Sequence, residues 1–176
     1  MKKKFIWLIF SFLLAGGLLL ASCGPSAEEA APITPSAEEA APAELPTFAL
    51  GETGSGAGVD VTITEPTIVD SYQYQSTSSG KTITKKASSS KTFLITTVHI
   101  VNTSITTRLS GTSWMRVHDS GGNSYAALSY FGEDALPLDH YMPEGTELNG
   151  KALFQIPQGV TGLKIRYTQV GWWELE

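Results

Sequence analysis

Three histidines, one cysteine and an excess of hydroxyls are the side chains with most chemistry to offer in this 176-residue chain. His99, His118 and His140 are separated by 18 and 21 residues. No two share the i,i+2 or i,i+4 spacing that sets a pair of imidazoles on one strand or helix face. Asp119 and Asp139 adjoin two of them, so any metal centre would have to be assembled by the fold. Three separate imidazoles on strands and loops is the simpler reading. Ser and Thr together number 37, so a Ser-His-Asp triad can be composed on paper in many ways and carries no weight. No Gly-x-Ser-x-Gly elbow is present to expose a nucleophile. A metal-dependent enzyme is therefore the least favoured function, and no catalytic, cofactor or metal residue is assigned. Asp119-Ser-Gly-Gly-Asn123 opens like a calcium loop, but Gly121 brings no side-chain oxygen and no bidentate acid follows. A hairpin turn accounts for it better. Asn102-Thr-Ser104 has the spelling of a glycosylation acceptor, but ending a strand through Asn and Ser hydrogen bonds to the local backbone is the favoured reading.

The lone cysteine excludes an intrachain disulfide framework and a Cys-cluster zinc site. Its position is more telling. Lys2, Lys3 and Lys4 precede an apolar run of 16 residues, 5–20. A spanning helix needs about 20, so the run suits the core of a cleaved signal. It ends in Leu20-Ala21-Ser22-Cys23, which resembles the lipobox of prokaryotic lipoproteins. The resemblance implies diacylglycerol transfer to the Cys23 sulfur and cleavage after Ser22. Small side chains at Ala21 and Ser22 would let the peptidase grip an extended backbone, and the Cys23 thiolate would be the nucleophile. An uncleaved anchor and an ordinary secretory signal are the competing readings. The register of the only cysteine favours lipidation. Residues 1–22 are then a signal peptide, and the rest sits at the extracytoplasmic face of a cell membrane, held by lipid on Cys23. Each buried CH₂ contributes about 0.8 kcal/mol, so two or three acyl chains anchor stably.

Residues 23–47 read as a disordered acidic linker of Ala, Glu and Pro. Pro25-Ser-Ala-Glu-Glu-Ala-Ala-Pro32 recurs as Pro35-Ser-Ala-Glu-Glu-Ala-Ala-Pro42, and neither copy has an apolar face to bury. As a flexible coil it would span about 27 Å, which suits a stalk.

Residues 48–176 read as one all-β domain. Val59-Asp-Val-Thr-Ile63 alternates with period two until Glu65-Pro66 interrupts it, and the alternation resumes on what reads as an edge strand. Residues 92–102 are the strongest strand, with Leu94, Thr96, Val98 and Ile100 on the core face and Phe93, Ile95, Thr97, His99 and Val101 on the other. Residues 114–118 and 124–128 flank the 119–123 turn. Residues 148–156 and 163–168 are two more strands. About seven short strands with turn signals between them predict an immunoglobulin-like β-sandwich after the signal peptide and linker. Leu94, Val98, Ile100, Phe154 and Ile165 are expected inside.

Leu50-Gly-Glu52, Val59-Asp-Val-Thr-Ile63, Val101-Asn102-Thr-Ser104 and Val117-His-Asp-Ser-Gly121 resemble, in this order, the telokin-like, immunoglobulin-like domain of unknown function found in many prokaryotic lipoproteins. Pro143-Glu-Gly145, Gly150-Lys-Ala-Leu-Phe154 and Ile156-Pro157 continue the match. The family is similar in fold to a secreted mycobacterial immunoprotective protein. The resemblance implies a sandwich and supplies no catalytic residue. The Ser- and Lys-rich stretch 76–91 departs from the pattern.

A net charge of −5 argues against a nucleic-acid partner. Yet residues 71–118 hold six Lys and Arg and no acid. Lys81, Lys85 and Lys86 lie in the 76–90 stretch, which buries too little to offset its backbone entropy. It should be mobile, or at most a loosely paired hairpin around Ile83. Trp172 and Trp173 are adjacent, so one packs inward while the other could form an exposed stacking platform. Trp173 is taken for that role, with the three lysines as ligand contacts. The expected function is a non-catalytic, lipid-anchored surface module engaged in protein interaction or structure. Its alternative is a solute- or polymer-binding lipoprotein using the free aromatic and the basic loop. The partners implied are the membrane and a cell-envelope protein or anionic polymer.

Overall fold

The computed structural model describes residues 44–175. The signal peptide, Cys23 and the linker up to residue 43 lie outside them. Thirteen strands follow in order: β1 Thr47–Phe48, β2 Thr53–Gly56, β3 Val59–Val69, β4 Ser71–Gln75, β5 Thr82–Lys86, β6 Lys91–Asn102 and β7 Arg108–Ser110. After a single 3₁₀ turn at Thr112–Trp114 come β8 Met115–His118, β9 Ser124–Leu128, β10 His140–Met142, β11 Glu147–Pro157, β12 Lys164–Tyr167 and β13 Gly171–Glu174. No helix among the described residues is long and apolar enough to cross a membrane.

The hydrogen-bonded order is β1-β13-β12-β8-β9-β11-β6-β3-β2. Strand β9 pairs with β8 through Ser124 to Ala126 and with β11 through Ala127 and Leu128. It thereby passes from one layer to the other and joins two packed sheets at one edge. This is the expected β-sandwich.

Alternation explains the layers. Val59, Val61 and Ile63 of β3, Leu94, Val98 and Ile100 of β6, Phe154 and Ile156 of β11, and Val117, Ile165 and Trp173 of the facing sheet are all buried in one core. The five expected core residues are at most 1% exposed. Thr96 sits in the same row by alternation, and its hydroxyl is accommodated there because β3 bulges opposite it. Glu65 takes a φ of +52°, Pro66 has no N–H to donate, and the pairing shifts between Thr64 and Thr67. The Thr96 hydroxyl donates to the Thr64 carbonyl at 2.7 Å, pairing both groups at the break.

The sequence suggests about seven strands, and the additional ones are short or lie at edges. Thr47, counted with the linker in the sequence reading, opens β1, and the Trp172 N–H donates to the Pro46 carbonyl at 2.9 Å. Strands β4 and β5 form a separate two-stranded hairpin, and β7 and β10, distant in the chain, form a small antiparallel ladder.

Candidate functional site

The β4–β5 hairpin organises the candidate site. Its register pairs Tyr72 with Lys85 and Tyr74 with Ile83, so these four share one face. Gln73, Thr84, Ser71 and Lys86 share the opposite face. The hairpin expected around Ile83 forms, with residues 82–86 paired to 71–75. The Ser76 N–H donates to the Lys81 carbonyl at 2.9 Å, and the Gly80 N–H donates to Ser76 at 2.7 Å.

What holds the hairpin down is a second apolar cluster on the outer face of β6 and β11. Tyr72 packs with Phe93 and Leu153, flanked by Ile95, Tyr74 and Tyr130. Phe93 belongs to the face that alternation turns away from the main core, yet it is 2% exposed because the Tyr72 ring meets it edge-on at 5.4 Å. Tyr72 also meets Tyr130 at 5.0 Å, and Tyr74 stacks on Phe131 at 5.2 Å. Burial pushes the Tyr72 hydroxyl's pKa above its ordinary value. Lys85 reaches to 5.8 Å from the Phe131 ring centroid, within cation–π range.

Residues 130–134 form the opposite wall. They lie close to β11 because Gly150 has no side chain. A Cβ there would come within 2.7 Å of the Leu136 nitrogen and 2.9 Å of the Asp134 carbonyl. In the space it leaves, the Lys151 N–H donates to Asp134 at 2.6 Å and the Leu136 N–H to Lys151 at 3.0 Å. Lys151 also forms an ion pair with the Asp134 carboxylate at 2.6 Å, which raises the lysine's pKa. Between β4 and this wall runs an open groove of about 560 Å³, lined by Gln73, Tyr74, Gln75, Thr82, Tyr130 and Asp134 among others. Phenol faces, two primary amides, a hydroxyl and carboxylates are the groups that bind a hydroxyl-rich, partly apolar surface.

The expected contact residues part company here. Lys85 borders the aromatic cluster. Lys86 is on the hairpin's other face, and Lys81 lies at its turn; both are exposed. The reading of Trp173 as an exposed platform is corrected by the structure. Trp173 is 0% exposed, its ring lies 5.1 Å from Phe48, and its indole N–H donates to the Glu52 carbonyl at 3.0 Å. Its neighbour Ile165 is a core residue, so the inward side of β13 takes residue 173 and turns Trp172 outward, half-buried. Sequence reasoning overlooked Tyr74, Tyr130 and Phe131. Their signal was weak: three aromatics in two polar, turn-like stretches 55 residues apart.

The remaining candidates are separated. His99 pairs with Glu147 at 2.9 Å. His118 meets the Trp172 ring edge-on at 4.9 Å. No group of three His, Cys, Asp or Glu side chains that could hold a metal occurs among the described residues. Asp119 closes the 119–123 turn by accepting from the Asn123 N–H at 2.9 Å and the Tyr125 hydroxyl at 2.6 Å. Asn102 ends β6 as a buried side chain. It donates to the Thr106 and Met142 carbonyls at 2.9 and 2.8 Å and accepts from the Ser104 N–H at 3.0 Å.

No protein-family model matches the chain, and no curated protein matches it. Solved structures do. An uncharacterized β-sandwich protein from Clostridium difficile 630 superposes with a TM-score of 0.51 at 12% identity, covering 81% of this chain and 100% of the other. The secreted protein MPT63 from Mycobacterium tuberculosis gives 0.51 at 14%, covering 76% and 100%. A candidate lipoprotein, ycdA of Bacillus subtilis, gives 0.51 at 13%, covering 71% of this chain and 38% of that longer one. At such identities the likeness is one of fold. It places the chain among β-sandwich proteins.

Proposed function

We propose that the chain is a non-catalytic lipoprotein that displays a recognition domain on the extracytoplasmic face of a membrane. In this reading the domain is of the telokin-like, immunoglobulin-like family that its ordered motifs resemble. Support for the anchor is the tetrapeptide ending in Cys23, behind a basic start and a 16-residue apolar core. A secreted protein and a candidate lipoprotein among the structural neighbours agree with that setting.

The observation that carries the recognition half is the groove beside β4. Tyr74 and Tyr130 line it, and Phe131, 50% exposed, stacks on Tyr74 beside it. A purely structural hairpin has no need of an aromatic wall facing an open channel. Gln73, Gln75 and the carboxylates supply paired donors and acceptors along it. This suits a saccharide chain, whose C–H faces pack on aromatic rings while its hydroxyls bond amides and acids. A second reading rests on the free backbone edge of β4, which has a strand partner on one side only. An extended peptide could add there as a third strand.

Calorimetric titration of the detergent-solubilised full chain with glucan, chitin and mannan oligomers tests the reading. Saturable binding to one of them, weakened at least tenfold in Tyr130→Ala and in Phe131→Ala, is the expected result. No binding to any oligomer, or binding indifferent to both substitutions, would defeat the saccharide reading.

A further inference from the structure

The outer face of the other sheet carries a different cluster. Trp172, Arg166 and Arg116 stand directly opposite one another in a row across β13, β12 and β8. The Arg166 guanidinium carbon lies 5.4 Å from the Trp172 ring centroid. Two arginines opposed across a ladder repel, and sheets avoid that arrangement.

None of the described acids nearby pairs with either arginine. Glu174 is 2.7 Å from Lys164 in the neighbouring row. Asp119 is held by Asn123 and Tyr125. Among the described residues, no carboxylate forms an ion pair with Arg116 or Arg166. The Arg166 Nε is buried and makes no hydrogen bond. His118, opposite Lys164 in the neighbouring row, has its pKa lowered by burial first and then by Arg166 and Arg116, so both guanidinium charges are felt there. Alongside runs a groove of about 560 Å³, lined by His118, Lys164, Arg166 and Trp172 together with the carboxylates of Glu44 and Asp119; Arg116 stands beside it and is not among its lining residues.

A pair of guanidiniums without an ion-pair partner is a ready clamp for one anion, and the indole beside it offers an apolar surface to whatever bears the charge. We propose that this face binds an anionic saccharide, a hexose ring bearing a carboxylate or a phosphate. Arg116 and Arg166 hold the anion, and the exposed part of Trp172 packs against the ring. The site is independent of the β4 groove, since it lies on the opposite sheet and shares none of its residues.

Four probes separate the contributions: glucuronate, glucose 6-phosphate, glucose and inorganic phosphate, titrated into the solubilised full chain and read by tryptophan fluorescence and calorimetry. Glucuronate, glucose 6-phosphate or both should saturate in the millimolar range while glucose does not; which of the two binds identifies the anion. Arg116→Gln and Arg166→Gln should each weaken binding about tenfold or more, with circular dichroism unchanged. Trp172→Ala should weaken the sugar anions and leave inorganic phosphate as it was. Replacing Glu28, Glu29, Glu38 and Glu39 by Gln should change nothing. The proposal is overturned if neither sugar anion saturates, if glucose binds as well, or if both arginine variants bind like wild type. It is also overturned if binding appears only after the four glutamates are removed, which would assign the face to the chain's own acidic stretch.

Discussion

Asn102 is where a motif-level reading and a structural one give opposite outcomes. As a glycosylation acceptor its side chain would have to be accessible. In the structure it is 1% exposed and makes three hydrogen bonds of 2.8 to 3.0 Å that tie the end of β6 to Ser104, Thr106 and Met142. Asn102→Ala removes all three. Each bond contributes about 1 kcal/mol net, and a buried group left unpaired costs about 1–3 kcal/mol. Thr106 is exposed and its carbonyl can turn to water; the carbonyl of buried Met142 has less opportunity. The sum is about 3 kcal/mol, equivalent to a fall in Tm of roughly 10 °C for a domain of this size. Asn102→Asp keeps the acceptor for Ser104 but sets a carboxylate against two carbonyl oxygens, and should be at least as harmful. Ser104→Ala destroys the acceptor spelling yet spares every Asn102 contact, so it should cost less than about 1 kcal/mol. Urea unfolding of the three variants decides. Asn102→Ala within about 0.5 kcal/mol of wild type, or Ser104→Ala as damaging as Asn102→Ala, would refute the reasoning.

Two further outcomes follow from the electrostatics. Hydrogen bonds from Tyr125 and Asn123 lower the Asp119 pKa to about 2. Its stabilising effect should therefore be fully present above the unfolded carboxylate value near 3.9 and disappear as pH falls through about 2. The stability gap between wild type and Asp119→Ala, followed by circular dichroism, should be flat above about pH 5 and shrink on acidification; a gap that persists unchanged to pH 2 would contradict this. Arg116→Gln should stabilise the sheet by about 0.2–1 kcal/mol by removing a directly opposed like charge, and the gain should fade with added salt. A lower Tm for Arg116→Gln would show that the arginine row is not repulsive.

The sandwich was legible because period-two patterning is strong wherever a strand has one wet face. Leu94, Val98 and Ile100 in β6, and Ile165 with Tyr167 in β12, declare their inner side without help. The bulge at Glu65-Pro66 was legible too, since proline breaks a ladder wherever it falls. Phe93 was not. It is on the outward face by alternation, and only the hairpin folding over it makes it core. The same event creates the candidate groove, so no window of sequence around residues 71–86 or 130–134 could reveal it. The Trp172–Trp173 pair failed for a different reason. Alternation says that the two face opposite ways, but a four-residue strand with aromatics on both sides does not declare which face is inner. Phe48 and the Glu52 carbonyl, both distant in the chain, settle it. The row of Trp172, Arg166 and Arg116 likewise depends on the register of three strands.

The measurement that bears most directly on the central claim is the intact mass of the protein extracted from membranes of a host able to lipidate it. The account predicts loss of residues 1–22, an acylated N-terminal Cys23, and a Cys23→Ser variant that keeps its full precursor length. A mature protein that retains Met1 and carries a free Cys23 thiol would contradict it.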